Sequence, residues 1–226
     1  MLDKTKKVGK KTSTLAEQLA NAPIENVVIK PINIQRTVAR IKGTVPLVVN
    51  NFGSTNRTKM VQKQLEGSRA KKGTARVPKN FDALYQGTFH KSTEGWYGFP
   101  ASALRKAMVS ASRVAGFAMT RAKLSVFVVA EGIDDLDGQG LVRIQGEPTR
   151  RDWPVRLADG STDIMPRPFF DNWEMDVVLE WDADQFSASD VFNLLTRAGV
   201  QVGLGAGRPD SKNSCGMGWG TFKVLS

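Results

Sequence analysis

The residues best suited to chemistry lie in Gly199–Gly220, GVQVGLGAGRPDSKNSCGMGWG, which holds seven of the chain's 21 glycines. Glycine loses more backbone freedom on folding than any other residue, so such density implies left-handed turns or close backbone approach. Arg208, Lys212 and the free amides of the loop suit an anion, above all a phosphate. Gly203, Gly205, Gly207, Arg208 and Lys212 are therefore one set of candidate binding residues. A glycine-rich hairpin that only closes a sheet accounts for the same composition. Two nucleotide motifs are excluded. No Gly-Lys-Ser/Thr occurs, so there is no mononucleotide P-loop. Gly203, Gly205 and Gly207 follow a helical run and enter Arg208-Pro209, which is not a dinucleotide-binding turn.

Other reactive groups are few. One histidine, His90, and one cysteine, Cys215, cannot form a common four-ligand zinc site, and no metal or cofactor is expected. A single cysteine excludes internal disulfides and points to a reducing, cytoplasmic compartment. No apolar run approaches the roughly 18 residues of a membrane helix, and the basic start, MLDKTKKVGKKTSTLAEQ, lacks the apolar centre of a secretory signal. No membrane partner is expected.

Charge supplies the second set of candidates. The formal net charge is +10, yet residues 1–79 hold 17 Lys and Arg against 4 Asp and Glu, while residues 80–226 hold 15 against 18. Charge confined to one third of a chain is the footprint of a polyanion binder. Most of it lies in residues 50–79: Arg57, Lys59, Lys63, Arg69, Lys71, Lys72, Arg76 and Lys79, opposed only by Glu66. These eight are expected to contact phosphates, in a basic arm that orders on a nucleic-acid backbone. Phe52, Trp96, Tyr97 and Trp219 are candidates to stack bases, although at least two of them are expected in the core.

The elements that position these groups follow from periodicity. Residues 1–29 read as a basic arm with a short helix opened by the capping pattern Thr14-x-x-Glu17. Residues 30–226 read as one domain, with a basic insertion at 50–97. Ile32 to Ile41 alternates as a strand with Ile32, Ile34 and Val38 inward, continuing loosely through Val45–Val49. Met60 to Leu65 allows one or two helical turns. Ala101 to Ala115 is a helix with Leu104, Met108, Ala111 and Ala115 on one face and Ser102 as a capping candidate. Met108 and Met119 read as core. Lys123 to Glu131 reads as a central strand, Leu141 to Ile144 as a short one, and Glu147 to Phe170 as a loop or irregular hairpin. Trp173 to Trp181 alternates as a half-buried strand. Ser187 caps a helix to Ala198, with Gly199 ending it. Val200–Val202 and Trp219–Val224 supply the closing strand. One hairpin aside, the order is β-α-β-β-α-β, an α+β fold of ferredoxin-like arrangement.

GFPASALRKAMVSASR (98–113), followed by GLGAGRPDSKNSCGMGWGTFKV (203–224), resembles the RAMP superfamily of CRISPR effector backbone subunits. Phe99 to Ala107 follows that family's "IPGSSLKGALR"-like first helix, with Ala101 where glycine is common. The glycine-rich loop after the second helix and the insertion before the first extend the resemblance to about residues 30–226. Gly207-Arg208-Pro209 is also similar to the ends of phage proteins. The resemblance implies a ferredoxin-like fold and a non-catalytic subunit that binds single-stranded RNA or DNA. It also implies head-to-tail self-association into a helical filament, in a bacterial cell or a phage host. No Asp or His matches the catalytic positions of cleaving members, and His90 falls in the insertion. An endoribonuclease would need His90 or Tyr97 as general base. A scaffold protein with a basic arm is the other alternative.

Overall fold

The computed structural model describes residues 29–51, 60–61, 65, 78–156, 160–211 and 215–225. The chain divides into two units, Met1–Ile32 and Asn33–Ser226. Of the first, residues 29–32 are described and all are exposed. The expected arm and helix over residues 1–28 lie outside the described residues.

The second unit is mixed α and β, built on a four-stranded antiparallel sheet. Its strands are β1 (Ile34–Gly43), β5 (Val126–Val129), β10 (Glu174–Asp182) and β11 (Phe222–Leu225), in the order β11-β1-β10-β5. Between β1 and β5 come β2 (Leu47–Val48), α1 (Phe81–Gln86), β3 (His90–Lys91), β4 (Tyr97–Pro100), α2 (Ala101–Val114) and α3 (Met119–Ser125). Between β5 and β10 come β6 (Gly132–Ile133), β7 (Gly140–Arg143), β8 (Pro148–Arg156) and β9 (Thr162–Phe170). The last helix is α4 (Ala188–Arg197). Two smaller sheets, β2-β9-β8 and β3-β4-β7-β6, flank the first. Met60, Val61 and Leu65 are helical, within the span expected for one or two turns.

The core lies between the large sheet and α2 and α4. Met108 and Leu195 are fully buried, and each such side chain stabilises the fold by about 1.5–3 kcal/mol. Along β10, Met175, Val177, Leu179 and Trp181 are buried and the residues between them are half-buried, as the alternation from Trp173 anticipates. β1 takes the opposite parity to the expected one. Ala39 and Ile41 point into the core, while Ile32, Ile34 and Val38 are exposed. The cause is register: Ala39 and Ile41 stand opposite buried Val177 and Met175, and a slip of one residue exchanges the two faces.

The open face of the sheet is occupied by charge. Arg36 meets Glu180 at 3.5 Å, Arg40 meets Glu174 at 3.0 Å and Asp176 at 3.8 Å, and Lys42 meets Glu174 at 2.8 Å. The hydrogen bond from Lys42, with that from Arg40, holds the Glu174 carboxyl below its ordinary range.

Several expectations are corrected. The strand expected over Lys123–Glu131 is β5, Val126–Val129; residues 123–125 belong to α3, and β5 is an edge strand of its sheet and not central. Arg105 donates to the carbonyls of Val126, at 2.9 Å, and Lys123, fixing that helix-to-strand junction. Met119 is exposed. Ser102 makes no cap; α2 starts at Pro100 without a side-chain cap, and the Ser102 hydroxyl donates to Gln139. The segment from Glu147 is a regular hairpin, β8 with β9, paired over nine positions. α4 does not end at Gly199. It continues as one π turn, Ala198–Val202, that breaks at Gly203, so Val200–Val202 is not strand.

Ser187 caps α4 as expected, in a capping box with Asp190. The Ser187 hydroxyl and then its N–H, both donating to Asp190, lower the Asp190 pKa. A depressed carboxyl contributes stability that is present above the ordinary carboxylate range of about 4 and is lost as pH falls through the lowered value. Ser187→Ala is therefore expected to reduce stability at pH 7 and to shrink the loss between pH 7 and pH 3. Urea unfolding at the two pH values measures both; an unchanged pH dependence contradicts the assignment.

Candidate anion-binding cleft

The glycine-rich loop is stitched to β2 by backbone hydrogen bonds. Ala206 N–H donates to the Val48 carbonyl at 2.8 Å, Gly220 N–H to Pro46 at 2.9 Å, and Leu204 N–H to Gly220 at 2.9 Å. Two glycines make this approach possible. At Gly205 (φ +73°) a Cβ would lie 2.4 Å from the Val48 carbonyl oxygen, and at Gly220 (φ +68°) 1.9 Å from that of Leu204. No other residue fits either place. The close approach expected of these glycines is thus met by the chain's own backbone. Gly203 is buried and Gly207 packs against the Trp219 ring, while Gly205 alone of the three forms part of a cleft wall.

That cleft runs between the loop and the start of α2. One half, about 300 Å³, is lined by Asn50, His90, Phe99, Ala103, Gly205 and Arg208 among others. The other, about 200 Å³, shares Phe99, Ala103, Gly205 and Arg208 and adds Lys106 and Ser110. Ala103 and Ala107 are the small residues of α2 on the groove wall. Asp210 is the acidic group at the Lys106 end, 3.3 Å from Arg113. Among the described residues, no acidic side chain lines the His90 end.

Arg208 and His90 line the cleft, Arg167 bonds to Asn50 of its wall, and Asp134 is the carboxylate paired with His90. Arg208 is half-buried, and its side-chain bond runs to the Gly205 carbonyl at 3.2 Å. Arg167, half-buried on β9, donates to Asn50 Oδ1, and burial pushes its pKa down. His90 is buried on β3, its Nδ1 donating to Asp134 Oδ2 at 2.8 Å. Asp134 Oδ1 accepts the Leu136 N–H at 2.8 Å, so both oxygens of this buried carboxylate are engaged. Asp134 lines a separate depression beside Gln86 and Lys91, away from the cleft. His90 Nε2 has no partner among the described residues.

The basic insertion is joined to the fold at this cleft. Asn50 lines it, and the next residue, Asn51, is pinned by its N–H to the Thr88 carbonyl at 2.8 Å and by Nδ2 to the Phe89 carbonyl at 3.0 Å. The segment holding most of the basic candidates therefore leaves from the cleft wall, two residues of chain from the nearest groove-lining backbone.

Of the predicted site residues, Arg57, Lys59, Lys63, Arg69, Lys71, Lys72, Arg76 and Lys212 lie outside the described residues, as does Phe52. Lys79 is described and is engaged elsewhere, 2.5 Å from Asp163 on β9. Trp219 packs edge-on to Trp153 and Phe169, each at 5.1 Å. Tyr97 stacks on Phe89 at 4.8 Å, and Trp96 lies under Arg143 and donates to Glu94 at 3.1 Å. These three aromatics belong to the fold's own packing. Sequence reasoning missed Asn50, Lys106, Asp134 and Arg167. Only the Asp134–Gly138 turn carried a local signal, an aspartate in turn sequence.

No protein-family model matches the chain, and no curated protein matches it.

Gly205→Ala and Gly220→Ala are each expected to lower the thermal unfolding midpoint by several degrees, whereas Gly218→Ala, where a Cβ meets open space, costs only the strain of its positive φ. Equal effects at the three positions, measured by scanning calorimetry, contradict the packing account of the loop.

Proposed function

We propose that the protein is a non-catalytic binder of single-stranded nucleic acid, RNA or DNA, that associates with itself head to tail along the strand. The observation that carries this reading is the half-buried Arg208 in a groove free of acidic side chains at its His90 end, with the basic insertion attached at the groove wall. A half-buried cation without a carboxylate costs solvation energy unless an anion replaces the lost water. A strand running along the groove places its phosphates between Arg208 and Lys106, and residues 52–77 then contribute counterion release along the backbone.

The strand order β11-β1-β10-β5, with every pairing antiparallel, fits the ferredoxin-like arrangement. With the Phe99–Ala107 motif and the glycine loop packed beside it, it supports a relationship to the RAMP superfamily. The open sheet face favours the groove over the sheet as the binding surface, because the cations of β1 are already paired with Glu174, Asp176 and Glu180, which leaves Lys223 of β11 as the exposed cation there without an ion pair among the described residues. Exposed Val114, Phe117, Met119 and Leu124, around the α2–α3 junction, support self-association.

Fluorescence-anisotropy titration of a labelled single strand at several salt concentrations tests the reading. Arg208→Gln is expected to weaken binding roughly tenfold, the loss of one charged hydrogen bond. Replacing Arg69, Lys71 and Lys72 together by Gln is expected to weaken binding of all sequences alike and flatten the salt slope by about one per lost phosphate contact. No binding of single strands, or binding indifferent to salt and to Arg208, contradicts it.

A further inference from the structure

We propose that the His90 end of the cleft is a seat for one phosphodiester, held by His90 Nε2 in the imidazolium form together with the Arg208 guanidinium and the Asn50 carboxamide. The proposal rests on the nucleic-acid reading for the identity of the ligand, and on the cleft's own geometry for the seat.

Two features of the cleft lead to it. First, Asp134 fixes the imidazole from behind. Its carboxylate accepts Nδ1–H, which sets the tautomer and ring orientation and leaves Nε2 as the ring's unpartnered nitrogen in a side chain that lines the cleft. Second, Arg167 occupies Asn50 Oδ1, so the Asn50 Nδ2 is left as that side chain's donor group. Arg208, Asn50 and protonated His90 then present N–H donors, and no acidic side chain lines the same volume to compete with an oxyanion.

The charged groups around His90 lie on several neighbouring elements. Asp134, bonded to His90, and Asp135 lie on the turn after β6, Arg208 on the glycine loop, and Arg167, bonded to Asn50, on β9. Across β4 His90 is paired with Gly98, while Lys91 and its partner Tyr97 project to the opposite face, where Lys91 lies over the Phe89 and Tyr97 rings at 5.7 and 5.6 Å. Because the donor at Nε2 exists only when the ring is charged, anion binding and ring protonation are linked. The bound anion raises the titration midpoint of His90, and affinity falls as pH rises through that midpoint.

His90 is the chain's single histidine, so its ring C–H signals are unambiguous in a proton NMR spectrum of the full-length protein. The ring is titrated between pH 5 and 8.5 alone, with sulfate, which keeps its charge throughout that range, and with single-stranded hexathymidylate. The expected result is a midpoint raised by about one pH unit by either anion, the tenfold preference of one charged hydrogen bond. The rise is expected to be lost in Arg208→Gln and reduced in Asn50→Ala, an exposed position whose carboxamide also holds Arg167. A midpoint unmoved by both anions overturns the seat; anisotropy with the same hexathymidylate then shows separately whether nucleic-acid binding stands. A midpoint moved by sulfate but not by the oligonucleotide overturns the phosphodiester assignment, and a rise retained in both variants overturns the seat.

Discussion

The arrangement depends on a backbone-to-backbone contact: the glycine-rich loop laid against β2, with Ala206 donating to Val48 and Gly220 to Pro46. A side chain at Gly205 would hold these segments apart, because its Cβ position is filled by the Val48 carbonyl oxygen, and the Cβ position at Gly220 is filled by the Leu204 carbonyl oxygen within the loop itself. Once the loop is seated, its outer edge and the small residues at the start of α2 enclose a groove, and Arg208 is carried into it. The glycines therefore act one step back from any ligand. They bring the loop to β2, and the loop brings the arginine and the cleft wall.

Electrostatics divides the molecule into a neutralised part and an open part. On the sheet face, cations of β1 stand across from carboxylates of β10, and on the hairpin Arg150 and Arg151 meet Asp152 and Asp171. Those pairs are solvated, contribute little each, and occupy the cations of β1 and of the hairpin. The groove is different, because Arg208, which lines it, and Arg167, which holds Asn50 of its wall, are half-buried and paired with neutral oxygens. Most of the chain's excess charge lies in residues 52–77, the stretch of chain that follows Asn50 of the groove wall and Asn51.

Local features of the sequence were legible where local physics decides them. The Ser187 cap of α4, the alternation of β10 and the apolar face of α2 are each specified by residues close in sequence. The failures have equally specific causes. In β1, Ile32, Ile34 and Val38 outweigh Ala39 and Ile41 in hydrophobicity, yet the parity is set by Met175 and Val177 across the sheet. α3 begins at Ala118 without a side-chain cap and merges with the apolar run of β5. Four prolines disguise the β8–β9 hairpin; β8 is an edge, and β2 covers only Phe169 and Phe170 of β9, so the proline positions need few ladder bonds. Of the cleft, Arg208 and Gly205 were legible from the loop, whereas the His90–Asp134 pair joins residues 44 positions apart and is created only by the fold.

The central claim is that a single strand lies in the groove between the glycine loop and α2. Photocrosslinking of a thiouridine- or thiothymidine-substituted single strand, with the attachment sites mapped by mass spectrometry, tests it most directly. The account predicts crosslinks in residues 99–110 and 203–211, with others in the insertion at 52–77. Crosslinks confined to the open sheet face, on β1 and β10, would contradict it.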